Sequence, residues 1–152
     1  MVWAYASPAQ EETCKINCDN GWCWGSKPEE AQQNWTLLDD NVKMKLIKDA
    51  EAPLEWLLTN APCLNKALYI RGEEVYKTLE RESTGEIEIA YQDKLLSLLD
   101  MRVKYIGGTK AACVRKGVYT YPYYVNRGGK TISEKKPHWK KMSTIYLSLI
   151  HI

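Results

Sequence analysis

Five cysteines are the residues in this chain best able to do chemistry, and three of them crowd into one short stretch. Cys14, Cys18 and Cys23 stand at C-x3-C-x4-C spacing in CKINCDNGWCWG, beside Trp22 and Trp24. Thiols at that density hold a metal, cycle between thiol and disulfide, or staple the chain. Structural zinc takes four ligands, with cysteine pairs two to four residues apart. Here three are close, and a fourth would have to be Asp19, Cys63 or Cys113. No second close pair exists, and a C-x-x-C redox motif is absent. Disulfide pairing among Cys14, Cys18 and Cys23 is the favoured reading, and neither a metal nor another cofactor is expected. Cys63 and Cys113 are expected as buried thiols.

Other catalytic constellations are sparse. The only histidines, His138 and His151, have no cysteine or carboxylate at ligand spacing. A Ser-His or Cys-His pair is not expected, nor is an enzyme. The run RGGKT, Arg127 to Thr131, ends like a phosphate-binding loop, but Tyr124 stands where that motif needs its first glycine. Asn34-Trp35-Thr36 is a formal glycosylation sequon inside an expected helix.

Composition bounds the rest. At 152 residues, 45% apolar and 26% charged, the chain matches an ordinary globular domain. Its net charge of +2 is small and mixed, which argues against nucleic acid as a partner. No apolar run is long enough to span a membrane. Ten Tyr and six Trp with no Phe suit partly exposed binding surfaces as well as a core. Ala4-Tyr5-Ala6 and Ser7-Pro8-Ala9 resemble the small-x-small pattern before a signal-peptidase site. That reading makes the start the trailing end of an export signal. It places the cysteines in an oxidising compartment, periplasmic or outer-membrane-associated.

The elements that would position these residues are helical. Ser26-Lys27-Pro28-Glu29 reads as a capping box opening a helix with Ala31, Trp35, Leu38 and Val42 on one face. Leu46, Ala50, Leu54, Leu57 and Leu58 continue the period. Pro53 either kinks that second segment or sits in its first turn. Residues 63–82 form a third helix, with Leu64, Leu68, Val75 and Leu79 on one side. Ser83-x-x-Glu86 reads as another capping box, before Ile87, Tyr91, Leu95, Leu98, Leu99 and Val103. Gly107-Gly108 reads as a left-handed stop. A fifth helix is expected to end at Pro122, with a polar loop to Pro137 and a last amphipathic segment from Trp139 to Ile150. The class is all-α, with neighbouring helices paired as antiparallel hairpins. The expected division is a leader remnant and Cys/Trp-rich segment over 1–25, a helical domain over 26–125, and a loop with a last helix over 126–152. That tail reads either as the second helix of a final hairpin or as an end that is truncated or not native.

An internal repeat underlies the pattern. NKALYIRGEEVY, residues 65–76, lies over TKAACVRKGVYTY, residues 109–121. Ala67 matches Ala112, Arg71 matches Lys116, Gly72 matches Gly117, and Tyr76 matches Tyr121, each pair 45 residues apart. Glycine in a helix interior costs about 1 kcal/mol, which a close neighbouring helix makes tolerable. These residues resemble the tetratricopeptide repeat, or TPR, a helix–turn–helix unit. Counting back from Pro62, Leu37, Ala50 and Leu54 fall on its pattern, and Gly72 opens the next unit. An insertion of ERESTGEIEIA then restores it at Leu95, Leu99, Gly107 and Gly117. Phrases such as APLEWLLTNAP and DMRVKYIGG are similar to exported TPR proteins of Gram-negative bacteria.

The resemblance implies a short right-handed solenoid with Ala50, Ala67, Gly72, Ala112 and Gly117 at the packing positions. It also implies a concave groove for a peptide or protein partner. Groove positions carried over are Gln32, Trp35 and Asp39, then Lys66, Tyr69, Glu73 and Tyr76, then Val114, Val118 and Tyr121. Tyr69, Tyr76 and Tyr121 would form an aromatic stripe, and some of these side chains would instead pack under the neighbouring hairpin. A non-catalytic scaffold is the function implied; the alternative is a cell-envelope component acting through self-association. In either case the segment around Cys18 and Cys23 serves as a lid, with Trp22 or Trp24 laid on the first hairpin.

Overall fold

The computed structural model describes residues 16–125 and 127–150. The described residues are all-α apart from one two-stranded ribbon, and the chain divides into two compact units, residues 1–107 and 108–152. The sequence expectation for residues 1–15, including Cys14, lies outside the described residues.

The N-terminal unit opens with β1, Cys18–Asp19, paired antiparallel to β2, Trp22–Cys23. Asn20 and Gly21 both have positive φ, 51° and 81°. Asn-Gly is the pair that a two-residue hairpin with the strand twist requires. Four helices follow: α1 (Pro28–Lys43), α2 (Ile47–Asn60), α3 (Lys66–Glu82) and α4 (Gly85–Tyr105). Connections of two to five residues make sequence neighbours antiparallel. Helix α1 packs on α2, and α3 packs on α2, α1 and α4. The core is built from helically spaced aliphatics such as Leu38 and Val42, Leu54 and Leu57, Leu68 and Val75, and Leu95 and Leu99. Leu37, on the TPR pattern, is instead exposed.

Two helix boundaries differ from expectation, and a third decides between the two readings left open for Pro53. Lys27, not Ser26, stands at the cap position of α1, directly before Pro28, and its ammonium side chain has no acceptor with which to make a cap hydrogen bond. Ser83 closes α3 and Thr84 precedes α4, leaving no room for Ser83 to cap the next helix. At the start of α3 it is Asn65 that caps with its side chain, accepting the Ala67 N–H. Helix α2 begins at Ile47, so Pro53 lies mid-helix, buried, rather than in a first turn. Helix α4 does end at left-handed glycines, Gly107 with φ 85° and Gly108 with φ 71°.

The C-terminal unit is a second kind of hairpin, α5 (Thr109–Val125) against α6 (Ile132–Ile150). Helix α5 runs through Pro122 instead of stopping there. Proline removes one backbone donor, and the burial of Tyr123 and Tyr124 just beyond it carries the helix on. Helix α6 starts inside the stretch expected as loop. Thr131 and Glu134 form its capping box: Glu134 accepts the Thr131 N–H at 2.9 Å and its hydroxyl at 2.7 Å. Those two bonds, the hydroxyl first, hold the Glu134 carboxyl below its usual pKa.

Candidate functional site

The ribbon is the lid that its sequence suggested. Cys18 and Cys23 are disulfide-bonded across β1 and β2. Trp22 stacks on Trp24 with centroids 5.4 Å apart, and packs against Trp35 of α1 at 5.0 Å and 59°. Two hydrogen bonds pin the lid to the α2–α3 turn: the Cys23 N–H donates to Leu64 carbonyl at 2.8 Å, and Asn65 Nδ2 donates to Gly21 carbonyl at 2.6 Å. Gly25 presses against that turn, where an added Cβ would stand 3.0 Å from Asn60 carbonyl. Cys63 is also disulfide-bonded, which corrects the expectation of a thiol, while Cys113 is a half-buried thiol outside the disulfides. Among the described residues no three His, Cys, Asp or Glu side chains group as a metal site.

The expected partner-binding residues divide. Trp35 is half-buried under the lid and Lys66 is exposed. Tyr69, Glu73 and Tyr76 are buried, with Tyr69 only 1% exposed, so the aromatic stripe does not form on α3. Helix α4 covers that face. The Tyr69 hydroxyl donates to Pro62 carbonyl at 2.7 Å. Tyr76 lies 6.4 Å from the Tyr91 ring, and Lys94 stands 5.6 Å over it. Burial pushes the Tyr76 hydroxyl up to about 12, and burial also raises Tyr69. Gln32 is exposed, whereas Asp39 ties α1 to α3 through Arg71 at 2.8 Å. Hydrogen bonds from Lys43 and Arg71 outweigh burial and hold Asp39 below its ordinary pKa. On α5 the corresponding positions are open: Val114, Val118 and Tyr121 are 61%, 66% and 57% exposed. Ala50, Gly72 and Ala112 are buried at packing positions, Ala67 and Gly117 half-buried.

Two features were missed by pattern reading. The first is a groove of about 470 Å³ between α2 and α4, with Tyr76 of α3 in its lining. Leu58, Ala90, Leu98 and Met101 make it apolar. A charged cluster spans the same two helices: Lys94 Nζ meets Glu51 Oε1 at 2.9 Å and also Glu55, and Tyr91 donates to Glu51 at 3.0 Å. Desolvation opposes the charge on Lys94, but the bonds to Glu51 and Glu55 prevail and raise its pKa.

The second feature is charge separation. Residues 108–152 hold nine lysines and arginines against one acid, Glu134, a net +8. The whole chain is +2, so residues 1–107 carry −6. Averaging over the chain had hidden two oppositely charged units. No protein-family model, curated protein or solved structure matches this chain.

Proposed function

We propose that this chain is a non-catalytic, TPR-like scaffold that binds a protein or peptide partner on its helical hairpins. The observation that carries the reading is the uncovered face of α5. Val114, Val118 and Tyr121 recur at the spacing of one helix face and stay more than half exposed. The matching positions on α3 are buried beneath α4. An apolar helix face of that kind fits a docking helix or peptide. The shared packing of Gly72 and Gly117 against the following helix supports repeated hairpins. Disulfide-bonded Cys18, Cys23 and Cys63 support an exported protein in an oxidising compartment, with the periplasm as the proposed location. No helix among the described residues is long and apolar enough to cross a membrane.

Affinity capture with the full chain from an envelope extract tests the scaffold. The expected result is one stoichiometric foreign protein, lost when Val114→Asp and Tyr121→Asp are combined. Equal capture by wild type and variant overturns it. A second reading, assembly by self-association, is favoured by the opposite charges of the two units.

A further inference from the structure

We infer that the uncovered α5 face of one copy docks into the α2–α4 groove of another, joining copies head to tail; this rests on the self-associating reading above. Two apolar surfaces of suitable form lie open on the same chain. The groove is lined by Leu58, Tyr76, Ala90, Ser97, Leu98 and Met101. The face offers Val114, Val118 and Tyr121, each more than half exposed. Its positions match Tyr69, Glu73 and Tyr76 in the internal repeat, and in α3 those residues lie beneath a helix.

Charge decides which surfaces pair. Beside the groove Lys94 is held by Glu51 and Glu55, so these three groups sum to −1. On α5, exposed Lys110 stands one helical turn before Val114. Beyond these rims lie units of −6 and +8. Groove against groove, or α5 against α5, would set like charges together, which disfavours both pairings. Groove against α5 sets opposite charges together. A two-fold dimer of groove on groove or of α5 on α5 is thereby disfavoured, and the arrangement inferred among the groove-on-α5 pairings is the head-to-tail one rather than a reciprocal pair closed by a two-fold axis. Such contacts propagate into chains unless the rotation closes a ring. Each docking leaves a free groove at one end and a free α5 at the other.

Sedimentation velocity and light scattering on the full chain test this. At low salt the mean mass should rise with concentration past that of a dimer, and it should fall towards monomer at high salt as the charges are screened. Val118→Glu blocks the face and Ser97→Arg blocks the groove. Both residues are solvent-exposed, so folding survives, and circular dichroism checks it. Each variant alone should lose every species above monomer. Their equimolar mixture should form heterodimers and stop there, because one live face meets one live groove. A wild type that stays monomeric, a dimer that never grows, or a mixture that fails to pair overturns the inference. A foreign partner captured by a strictly monomeric chain would remove this interface and leave the scaffold standing.

Discussion

Gly72 of α3 lies so close to Leu98 of α4 that an added Cβ would stand 3.0 Å from Leu98 Cδ2 and 3.1 Å from Leu54 Cδ1. Both leucines are buried at 1% or less exposure, so neither has space to retreat. Its repeat partner Gly117 is less confined, with Leu149 and Tyr146 atoms at 3.7 Å, an ordinary contact. The same substitution should therefore act with opposite sign at the two sites. Alanine gains about 1 kcal/mol of helix propensity at either position. At Gly72 overpacking costs about 1–3 kcal/mol and outweighs it. Urea unfolding should show Gly72→Ala destabilised and Gly117→Ala stabilised by about 1 kcal/mol. Equal signs would mean that the two glycines are equally confined, against the distances above.

The lid gives a second prediction, local in its effect. Removing the Cys18–Cys23 bridge by a double serine substitution frees a short loop, worth about 2 kcal/mol by chain entropy. Trp22, Trp24 and Trp35 are only half-buried, so the helical core should keep its unfolding midpoint. The amide of residue 23, bonded to Leu64 carbonyl, should instead exchange about thirtyfold faster. Acrylamide should also quench the tryptophans more strongly. Unchanged protection at residue 23 would mean that the lid holds without its bridge.

How much of this the sequence disclosed depended on what kind of signal each residue gave. Aliphatic spacing located six helices, because burial repeats with the helix period at Leu38 and Val42 or Leu95 and Leu99. Cap motifs failed at Ser26 and Ser83, where a proline and a two-residue turn decided the boundary instead. The working box at Thr131 and Glu134 was hidden in a stretch read as loop. Asn20-Gly21 is a hairpin signal that the cysteines around it obscured. Tyr69 and Tyr76 sat on the expected groove face, yet which neighbour covers a helix face is tertiary information. The groove between α2 and α4 likewise joins residues such as Leu58 and Met101 that no local pattern links. The charge separation was legible throughout, but only once the boundary at Gly107 was known.

The Thr131–Glu134 box predicts where α6 is fragile. Its helix has no fully buried residue, so its start depends on local bonds more than on packing. Thr131→Ala removes the hydroxyl that Glu134 accepts and should cost about 1 kcal/mol. Amide exchange over the first turns of α6 should accelerate while α3 and α4 stay protected. Uniform acceleration across both units would contradict a local cap.

Alkaline pH should unfold the N-terminal unit through its buried tyrosines. The Tyr76 hydroxyl ionises near 10.0 ordinarily and near 12 in the folded chain, raised first by burial and then by Glu55. A group whose folded pKa is raised binds more protons folded than unfolded between those values. Stability is therefore complete below about pH 10 and falls as pH rises towards 12. The full loss from Tyr76 is about 3 kcal/mol, and buried Tyr69 acts in the same direction. Lys94, held by Glu51 and Glu55, likewise contributes most below its unfolded pKa and loses that contribution as pH rises through the folded value. Tyr76→Phe removes one ionisation and leaves the others. Urea unfolding between pH 8 and 11 should show a shallower alkaline decline for this variant, with curves that converge below pH 9 apart from a constant offset. Parallel curves throughout would mean that the Tyr76 hydroxyl meets solvent in the folded chain.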